Sequence, residues 1–180
     1  VNFQAIGVSI EVAGKDHMNA GGSHDLASLV ATRVLKYQIP YPIAYEWILI
    51  GGRKMSSSKG VGIAASDMLE ILPPELVRFL IVKMNIRKQT NFDPAEPETI
   101  PKLFDEYQEI ASSKNENAKR IFELSKVGEE KIVPQVRFST LSQWVQMPNM
   151  EEEIKKAGAE RWAKYAKVWV EKYAPEDEKF

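Results

Sequence analysis

The chain has 180 residues, of which 44% are hydrophobic and 27% are charged, and its formal net charge is −1. This apolar content can bury the core of one domain or of two small ones, whereas the balanced charge gives no support for a free-standing basic nucleic-acid module. The chain has no cysteine, which excludes disulfides and thiolate metal sites, and no apolar run reaches the roughly 18 residues that span a bilayer.

The first elements in chain order are a strand, a glycine loop and a helix. Residues Val8 to Val12 are rich in β-branched side chains and alternate weakly, which predicts a strand. A loop with three glycines follows, from Gly14 to Gly22. Ser23 is the expected N-cap of a helix over about residues 23–38, because apolar side chains then recur at helical spacing. The prolines expected to end this helix are Pro40 and Pro42.

A second strand, two helices and a short third strand come next. The apolar run Tyr45–Ile50 predicts the strand, and a polar loop over residues 51–62 follows it. Ser66 is the expected cap of a short helix, and Pro74 suits the first position of another. A short strand at Asn91–Phe92 completes an order typical of α/β proteins. The apolar stripe predicted for the second helix is Leu76, Phe79, Leu80, Ile81 and Met84.

Beyond residue 93 the sequence contains only helical patterns, so we expect an all-α region. The segment from Asp93 to Pro101 holds three prolines and is expected to be a linker. Asn149 and Glu152 have the spacing of a capping box. The aromatic side chains between Trp162 and Tyr173 repeat at helical spacing, which favours burial in a core over stacking on RNA. The predicted helices cover about residues 102–112, 115–126, 140–147 and 150–173.

The segment Lys54 to Gly60 has the sequence Lys-Met-Ser-Ser-Ser-Lys-Gly and directly follows the second predicted strand. It offers two ammonium groups, three hydroxyls and a close backbone approach at glycine, which together suit the oxygens of a triphosphate. Serine, lysine and glycine are also ordinary loop residues. From the residues alone, a solvated and flexible loop is therefore the simpler interpretation.

A second candidate site is the loop that runs from Gly14-Lys15-Asp16-His17 to Gly21-Gly22-Ser23. In open α/β sheets ligands bind beyond the carboxyl ends of strands, and free N–H groups at the start of a helix favour anions or ribose hydroxyls. The spacing of a dinucleotide-binding fingerprint is absent, so a plain turn with solvated histidines stays equally open. Both loops follow strands, and a doubly wound sheet is expected to bring them to one edge.

The Lys54 segment resembles the second signature of class I aminoacyl-tRNA synthetases, usually written Lys-Met-Ser-Lys-Ser. Ser57 stands where most of that class has its second lysine, and Lys59 would supply the charge two positions later. Together with Gly-Lys-Asp-His, Gly-Gly-Ser-x-Asp, Tyr-Glu-Trp and the stretch from Tyr165 to Phe180, this variant resembles the class I lysyl-tRNA synthetases. The resemblance covers nearly the whole chain.

The resemblance implies a fold that is α/β and then all-α. Residues 1–98 would form the C-terminal half of a class I Rossmann domain together with a stem-contact fold, whose order is strand, helix, helix, strand, helix. Residues 99–180 would form a helical bundle that begins an anticodon-binding domain. The implied location is the cytoplasm, with no membrane partner.

The implied reaction is the ATP-dependent activation of L-lysine and its transfer to tRNA(Lys), with Mg²⁺ bound to the nucleotide. The catalytic residues implied are Lys54 and Lys59, and His17 with Tyr45 would line the amino-acid pocket. Tyr45 is equally plausible as a plain core residue. The implied ATP-binding residues are Gly14, Asp16, Gly21, Gly22, Lys54, Met55, Ser56, Ser57, Ser58 and Lys59.

One part of the class I site is missing from this sequence. The first signature of the class, His-Ile-Gly-His, does not occur, since the only histidines are His17 and His24. Val1 is neither an initiator methionine nor the start of a signal peptide, so we expect an internal piece of a longer protein. That signature and any zinc sites are expected before Val1, and the piece alone is expected to be inactive. Two alternatives stay open: another class I synthetase, or a non-catalytic RNA-binding fragment.

Overall fold

The structure of the chain is a computed structural model that describes residues 7–54, 64–128 and 133–180. Contacts between Cα atoms divide the chain into two compact units. Unit 1 comprises the residues up to Leu49 together with Asn85–Asn91, and unit 2 comprises Ile50–Met84 together with Phe92–Phe180. All described strands end before residue 93, and the described residues from Thr99 onward form only helices, turns and loops, which agrees with the expected order of α/β and then all-α.

Unit 1 is built on two parallel strands and the helices between them. The strands pair along their whole length, from Ile10 opposite Tyr41 to Gly14 opposite Tyr45. Its elements are β1 (Ile10–Gly14), α1 (Lys15–Met18), α2 (Ser23–Leu29), a π-helical segment (Val30–Val34) and β2 (Tyr41–Tyr45). This pairing places the first residues after β1 and after β2 at the same end of the sheet.

Several boundaries in unit 1 differ from the predictions. The N-cap of α2 is Gly22, so Ser23 is already the first helical residue. The helix predicted to residue 38 changes to π geometry, in which Leu35 N donates to Val30 O (3.1 Å), and it stops before Lys36, whose φ is 51°. Pattern alone does not detect this change, because the π segment is only five residues long, too short to alter the apolar spacing of the whole helix.

Pro42 lies inside a strand, although it was expected only to end a helix. Tyr41 N donates to Ser9 O (2.9 Å), so the nitrogen of the next residue, Pro42, points away from β1. A proline at that position removes no hydrogen bond between the two strands, which is why β2 tolerates it.

The predicted strand from Tyr45 to Ile50 is divided between two sheets. Its first residue ends β2, and its last three form β3 (Ile48–Ile50). A turn at Gly51 and Gly52, with φ values of 55° and 72°, leads into β4 (Arg53–Lys54). With β5 (Thr90–Phe92), which confirms the short third strand, these strands form a sheet of order β4-β3-β5. In the described parts of the chain, the strands before the two candidate loops, β1 and β4, thus belong to different sheets.

Unit 2 is a helical assembly around one aromatic and aliphatic core. Phe104 stacks edge-on against Trp162 (4.7 Å between centroids, 81°) and packs against Phe138, which in turn meets Trp169 edge-on. All four rings are buried, so the aromatic face predicted for the last helix is core, as expected. The helices are α3 (Ala65–Ile71), α4 (Pro74–Val82), α5 (Thr99–Ser112), α6 (Glu116–Ser125), α7 (Phe138–Trp144), α8 (Glu151–Lys156), α9 (Glu160–Lys172) and a 3₁₀ turn (Glu176–Glu178).

The first helices of unit 2 correct two predictions. Ser66 is the second residue of α3 rather than its cap, and Asp67 accepts a hydrogen bond from Ala64 N (3.2 Å). Pro74 starts α4 as predicted, but Ile81 is 57% exposed, so the buried stripe is narrower than expected.

The later helices of unit 2 differ from the predicted helices mainly in where they begin and end. α5 begins at Thr99 and holds Pro101 in its first turn, where no N–H partner is lost, so the predicted linker is shorter. The single predicted helix from Met150 to Tyr173 is two helices, because Gly158 adopts a φ of 65° between α8 and α9. The capping box at Asn149 is wrong: Asn149 has a φ of 62°, and the N-cap of α8 is Met150.

An ion pair joins α4 to α9, two helices far apart in the sequence. Glu75 on α4 is buried and pairs with Arg161 on α9, whose side chain remains partly exposed. Tyr107 lies beside them, and burial, followed by the nearby Glu75 carboxylate, raises its pKa to about 12. In the described residues no helix is long and apolar enough to cross a membrane.

Candidate functional site

The loop after β1 is a single helical turn that begins directly at the end of the strand. β1 ends at Gly14, α1 follows at once, and Gly14 lies opposite Tyr45 in the register of the sheet. A Cβ atom added at Gly14 would lie 3.9 Å from His17 Cδ2 and 3.9 Å from Tyr45 Cε2. The two residues predicted for the amino-acid pocket therefore flank the same glycine.

Gly21 and Gly22 serve the turn after α1 in two different ways. Gly21 has a φ of 76°, the left-handed region that favours glycine, and its N–H donates to Asp25 Oδ2 (2.8 Å). Gly22 has an ordinary φ, but a Cβ there would lie 2.6 Å from His17 O and 2.8 Å from Asn19 O. The turn can close only because this position lacks a side chain.

The two histidines have separate roles. His17 is exposed, and its Nδ1 lies 3.1 Å from the hydroxyl of Ser23. His24 is only 11% exposed, with Nδ1 2.6 Å from Glu11 Oε2, and Ser28 Oγ lies 3.4 Å from its other ring nitrogen. The interpretation of His24 as a solvated residue is thus wrong, since it joins α2 to β1.

A cluster that the sequence did not predict lies at the same end of β1 and β2. Lys15 Nζ is 2.6 Å from Glu46 Oε2 and 4.5 Å from the centroid of the Trp47 ring. The charges of Lys15 and Glu46 are visible in the sequence, but their pairing follows only from the register of β1 and β2, which places the two residues side by side. A cleft of about 490 Å³ opens here, lined by Lys15, Tyr41, Pro42, Ile43, Ala44, Tyr45, Glu46, Ile86 and Arg87.

The second candidate loop is described only at its start. Lys54 is exposed at the end of β4, and the Gly51–Gly52 turn that leads to it is close to Asp93, 3.4 Å from a Cβ at Gly51. Asp16 is exposed after β1. The candidate residues that lie outside the described parts of the chain are Met55, Ser56, Ser57, Ser58 and Lys59.

Comparison with known protein families gives a match over residues 1–128 to the family described as tRNA synthetases class I (K). The chain belongs to the class I (K) tRNA synthetases. This confirms the resemblance carried by the Lys54 segment and the Gly14 loop, and it covers all of the strands that the structure describes.

Relatives of this class I (K) chain include several archaeal proteins named lysine–tRNA ligase. One from Methanosarcina barkeri (strain Fusaro) is 42% identical over 132 residues, which are 69% of this chain and 24% of that protein. One from Archaeoglobus fulgidus is 34% identical over 99% of this chain and 38% of its own length, and one from Thermoplasma volcanium is 34% identical over 99% of this chain and 39% of its own length. The class I (K) chain thus spans between about a quarter and two fifths of the relatives it matches.

Proposed function

We propose that this chain is part of a lysine–tRNA ligase that activates L-lysine with ATP and transfers it to tRNA(Lys). The observation that carries the proposal is the similarity to lysine–tRNA ligases over nearly the whole chain. The loop chemistry supports a nucleotide-dependent ligase, whereas the choice of lysine rests on the relatives' names.

The finer architecture is also a proposal. Residues 1–98 would be the C-terminal half of a Rossmann domain with its stem-contact fold, and residues 99–180 would begin a helical anticodon-binding domain. The parallel pairing of β1 with β2 supports a Rossmann sheet, and β3, α3, α4, β5 and α5 follow the expected stem-contact order apart from the added β4. Ile10, Val12 and Tyr41 are exposed, whereas parallel sheets normally have both faces covered, so further elements of a longer protein would pack here.

The amino-acid pocket would be formed at the end of β1 and β2. His17 and Tyr45 would contact the bound lysine, which is supported by their placement on either side of Gly14. Gly14, Asp16, Gly21 and Gly22 would border the ribose and the adenylate. A Cβ at Gly21 would meet no atom within 4 Å, so a ligand could approach this backbone closely.

The proposed chemistry has two steps. The lysine carboxylate attacks the α-phosphorus of ATP, and pyrophosphate leaves. The 2′-hydroxyl of the terminal tRNA adenosine then attacks the lysyl carbonyl, and AMP leaves. The enzyme acts in the first step by positioning the reactants and stabilising charge rather than by forming a covalent bond to substrate.

The Lys54 segment would neutralise the negative charge of the ATP phosphates. Lys54 and Lys59 would neutralise the charge that grows on pyrophosphate, which raises the rate because the interaction strengthens in the transition state. Met55 and Ser56 would lie near adenine, and Ser57 and Ser58 would donate to phosphate oxygens. Mg²⁺ would bind with the nucleotide, through its phosphate oxygens.

The test is amino-acid-dependent exchange of pyrophosphate into ATP by a full-length synthetase that contains this sequence, with each standard amino acid, with and without tRNA. We expect exchange with lysine, a loss of about 100-fold in kcat on Lys54→Ala, and little change on Lys36→Ala, a control at an exposed lysine of unit 1. Exchange with another amino acid would keep the class and reject lysine. No exchange in any condition would favour a non-catalytic RNA-binding role.

A further inference from the structure

We infer that Lys15 is a positioning residue, which holds the turn α1 and the residues after it, up to Gly22 (the His17 turn), against the end of β2. It does so through an ion pair with Glu46 and a cation–π contact with Trp47. We call these three residues the Lys15 clasp. The inference rests on the proposed function, because it takes His17 and Tyr45 as the residues that contact substrate lysine. It assigns no contact with substrate to Lys15 itself.

The clasp follows from the register of the two strands. Gly14 and Tyr45 lie directly opposite each other, so the next residues, Lys15 and Glu46, leave the sheet side by side. Lys15 Nζ then lies 2.6 Å from Glu46 Oε2 and 4.5 Å from the Trp47 ring centroid. A carboxylate attracts an ammonium group by its charge, and the face of an indole attracts it more strongly than other aromatic rings do.

One carboxylate oxygen of Glu46 is buried beside Lys15, although the side chain as a whole is 24% exposed. Glu46 Oε2 has almost no exposed surface, and among the described residues it makes no hydrogen bond. Its charge is balanced by the ammonium group of Lys15, with which it forms an ion pair. A buried carboxylate oxygen with no cation beside it is unfavourable. Removal of Lys15 would therefore push the Glu46 side chain toward solvent and disturb its neighbours.

The two sides of the clasp differ in how much of their backbone is bonded and buried. Glu46 N donates to Ile86 O (2.8 Å) and Trp47 O accepts from Thr90 N (3.4 Å), so the backbone at residues 46–47 is fixed to the 86–90 segment. In contrast, α1 is a single turn of four residues with none buried and no side-chain cap. Core packing therefore contributes little to its placement, and both the Lys15 clasp and the His17–Ser23 hydrogen bond tie it to its neighbours.

The clasp also explains why Glu46 need not bind the substrate ammonium, although it borders the cleft. Its charge is already matched by a lysine of the same chain. This gives the proposal a direct test, because a positioning role and a charge-recognition role predict opposite changes in lysine binding when Lys15 is removed. If the pair positions His17, loss of either partner weakens lysine binding; if Glu46 attracts substrate, loss of Lys15 strengthens it.

The experiment compares Lys15→Met, Glu46→Gln and the double variant in the full-length synthetase, measured by lysine-dependent exchange. We expect each single variant to raise KM for lysine about tenfold or more, with KM for ATP and kcat changed far less. KM for lysine in the double variant should be no higher than in the more impaired single variant, since both substitutions break the same interaction. Lys15→Arg should restore most of the activity, and Lys36→Met should match wild type.

A second measurement does not depend on catalysis. The 180-residue chain has only two histidines, so imidazole proton signals can be assigned with His17→Gln. Lys15→Met and Glu46→Gln should shift the His17 signals and leave those of His24 in place. Opposite changes in KM for the two single variants, or unmoved His17 signals in both, would overturn the inference. Wild-type exchange with no lysine dependence would reject the proposed function, and the histidine signals would still decide whether the clasp positions His17.

Discussion

The ion pair between Glu75 and Arg161 gives a stability prediction whose size depends on which partner is removed. The Glu75 side chain is 7% exposed, whereas that of Arg161 is 34% exposed. Arg161→Met leaves a buried carboxylate without a partner, and we expect it to lower the free energy of unfolding by about 3 kcal/mol. Glu75→Gln leaves a guanidinium that can turn to water and an amide of similar shape, so we expect a loss of about 1 kcal/mol.

The assay is urea unfolding followed by circular dichroism at neutral pH, with the double variant Glu75→Gln/Arg161→Met completing a cycle. The double variant should be more stable than Arg161→Met alone, because it removes the unpaired charge. Lys156→Met, which breaks an exposed pair with Glu153 on α8, is the control and should cost less than about 0.5 kcal/mol. An Arg161→Met variant as stable as this control, or less affected than Glu75→Gln, would refute the reasoning from burial.

Three further predictions concern single positions. Gly22→Ala should lower the free energy of unfolding by about 2 kcal/mol in urea and raise KM for lysine, because the new Cβ meets the backbone of the His17 turn; Gly128→Ala, where nothing lies within 4 Å, should cost only about 1 kcal/mol of backbone strain. Burial raises the pKa of Tyr107 to about 12, so its neutral phenol stabilises the fold fully below pH 10, and about 2 kcal/mol should be lost between pH 10 and 12. Tyr107→Phe should show a smaller loss than wild type over that range in urea unfolding, and equal losses would contradict this. Asn115→Ala should cost about 1 kcal/mol in thermal unfolding, because Asn115 Oδ1 caps α6, and Asn115→Asp should cost less.

The sequence predicted best where one strong local signal decides the structure. Pro74 begins α4 because its ring suits the first helical position and its missing N–H is not needed there. The stripe on α9 is core because its aromatic residues recur on one face. The predicted caps at Ser23, Ser66 and Asn149 are wrong, since the actual N-caps make no side-chain capping hydrogen bond and so give no signal in the sequence.

The strands were harder to predict than the helices, because strand boundaries depend on hydrogen bonding to other strands. Tyr41 and Pro42 belong to β2 through bonding to the segment before β1, which no local pattern reveals. The run from Tyr45 to Ile50 looks continuous, yet its middle residues turn to bond with the 86–90 segment. Long-range pairing of this kind overrides strand propensity.

The candidate site was predicted by resemblance more than by pattern. His17 and Tyr45 are 28 positions apart in the sequence, and only the parallel register brings them to one glycine. The Lys15 clasp was missed although its residues adjoin Gly14 and Tyr45, since charge pairing across strands requires the register to be known. The roles of the Lys54 segment stay predictions, because most of it lies outside the described residues.

Unit 1 is discontinuous along the chain, and this affects how it folds during synthesis. Its described residues up to Leu49 precede a segment of unit 2, and the chain returns to it only at Asn85–Asn91, which accept or donate hydrogen bonds at Glu46 and Trp47. Compact units generally fold as they leave the ribosome, the N-terminal one first. Here the earlier unit is complete only when residue 91 has been made. Translation would therefore leave β1, β2 and the His17 turn without their bonds to the 86–90 segment while α3 and α4 are being made.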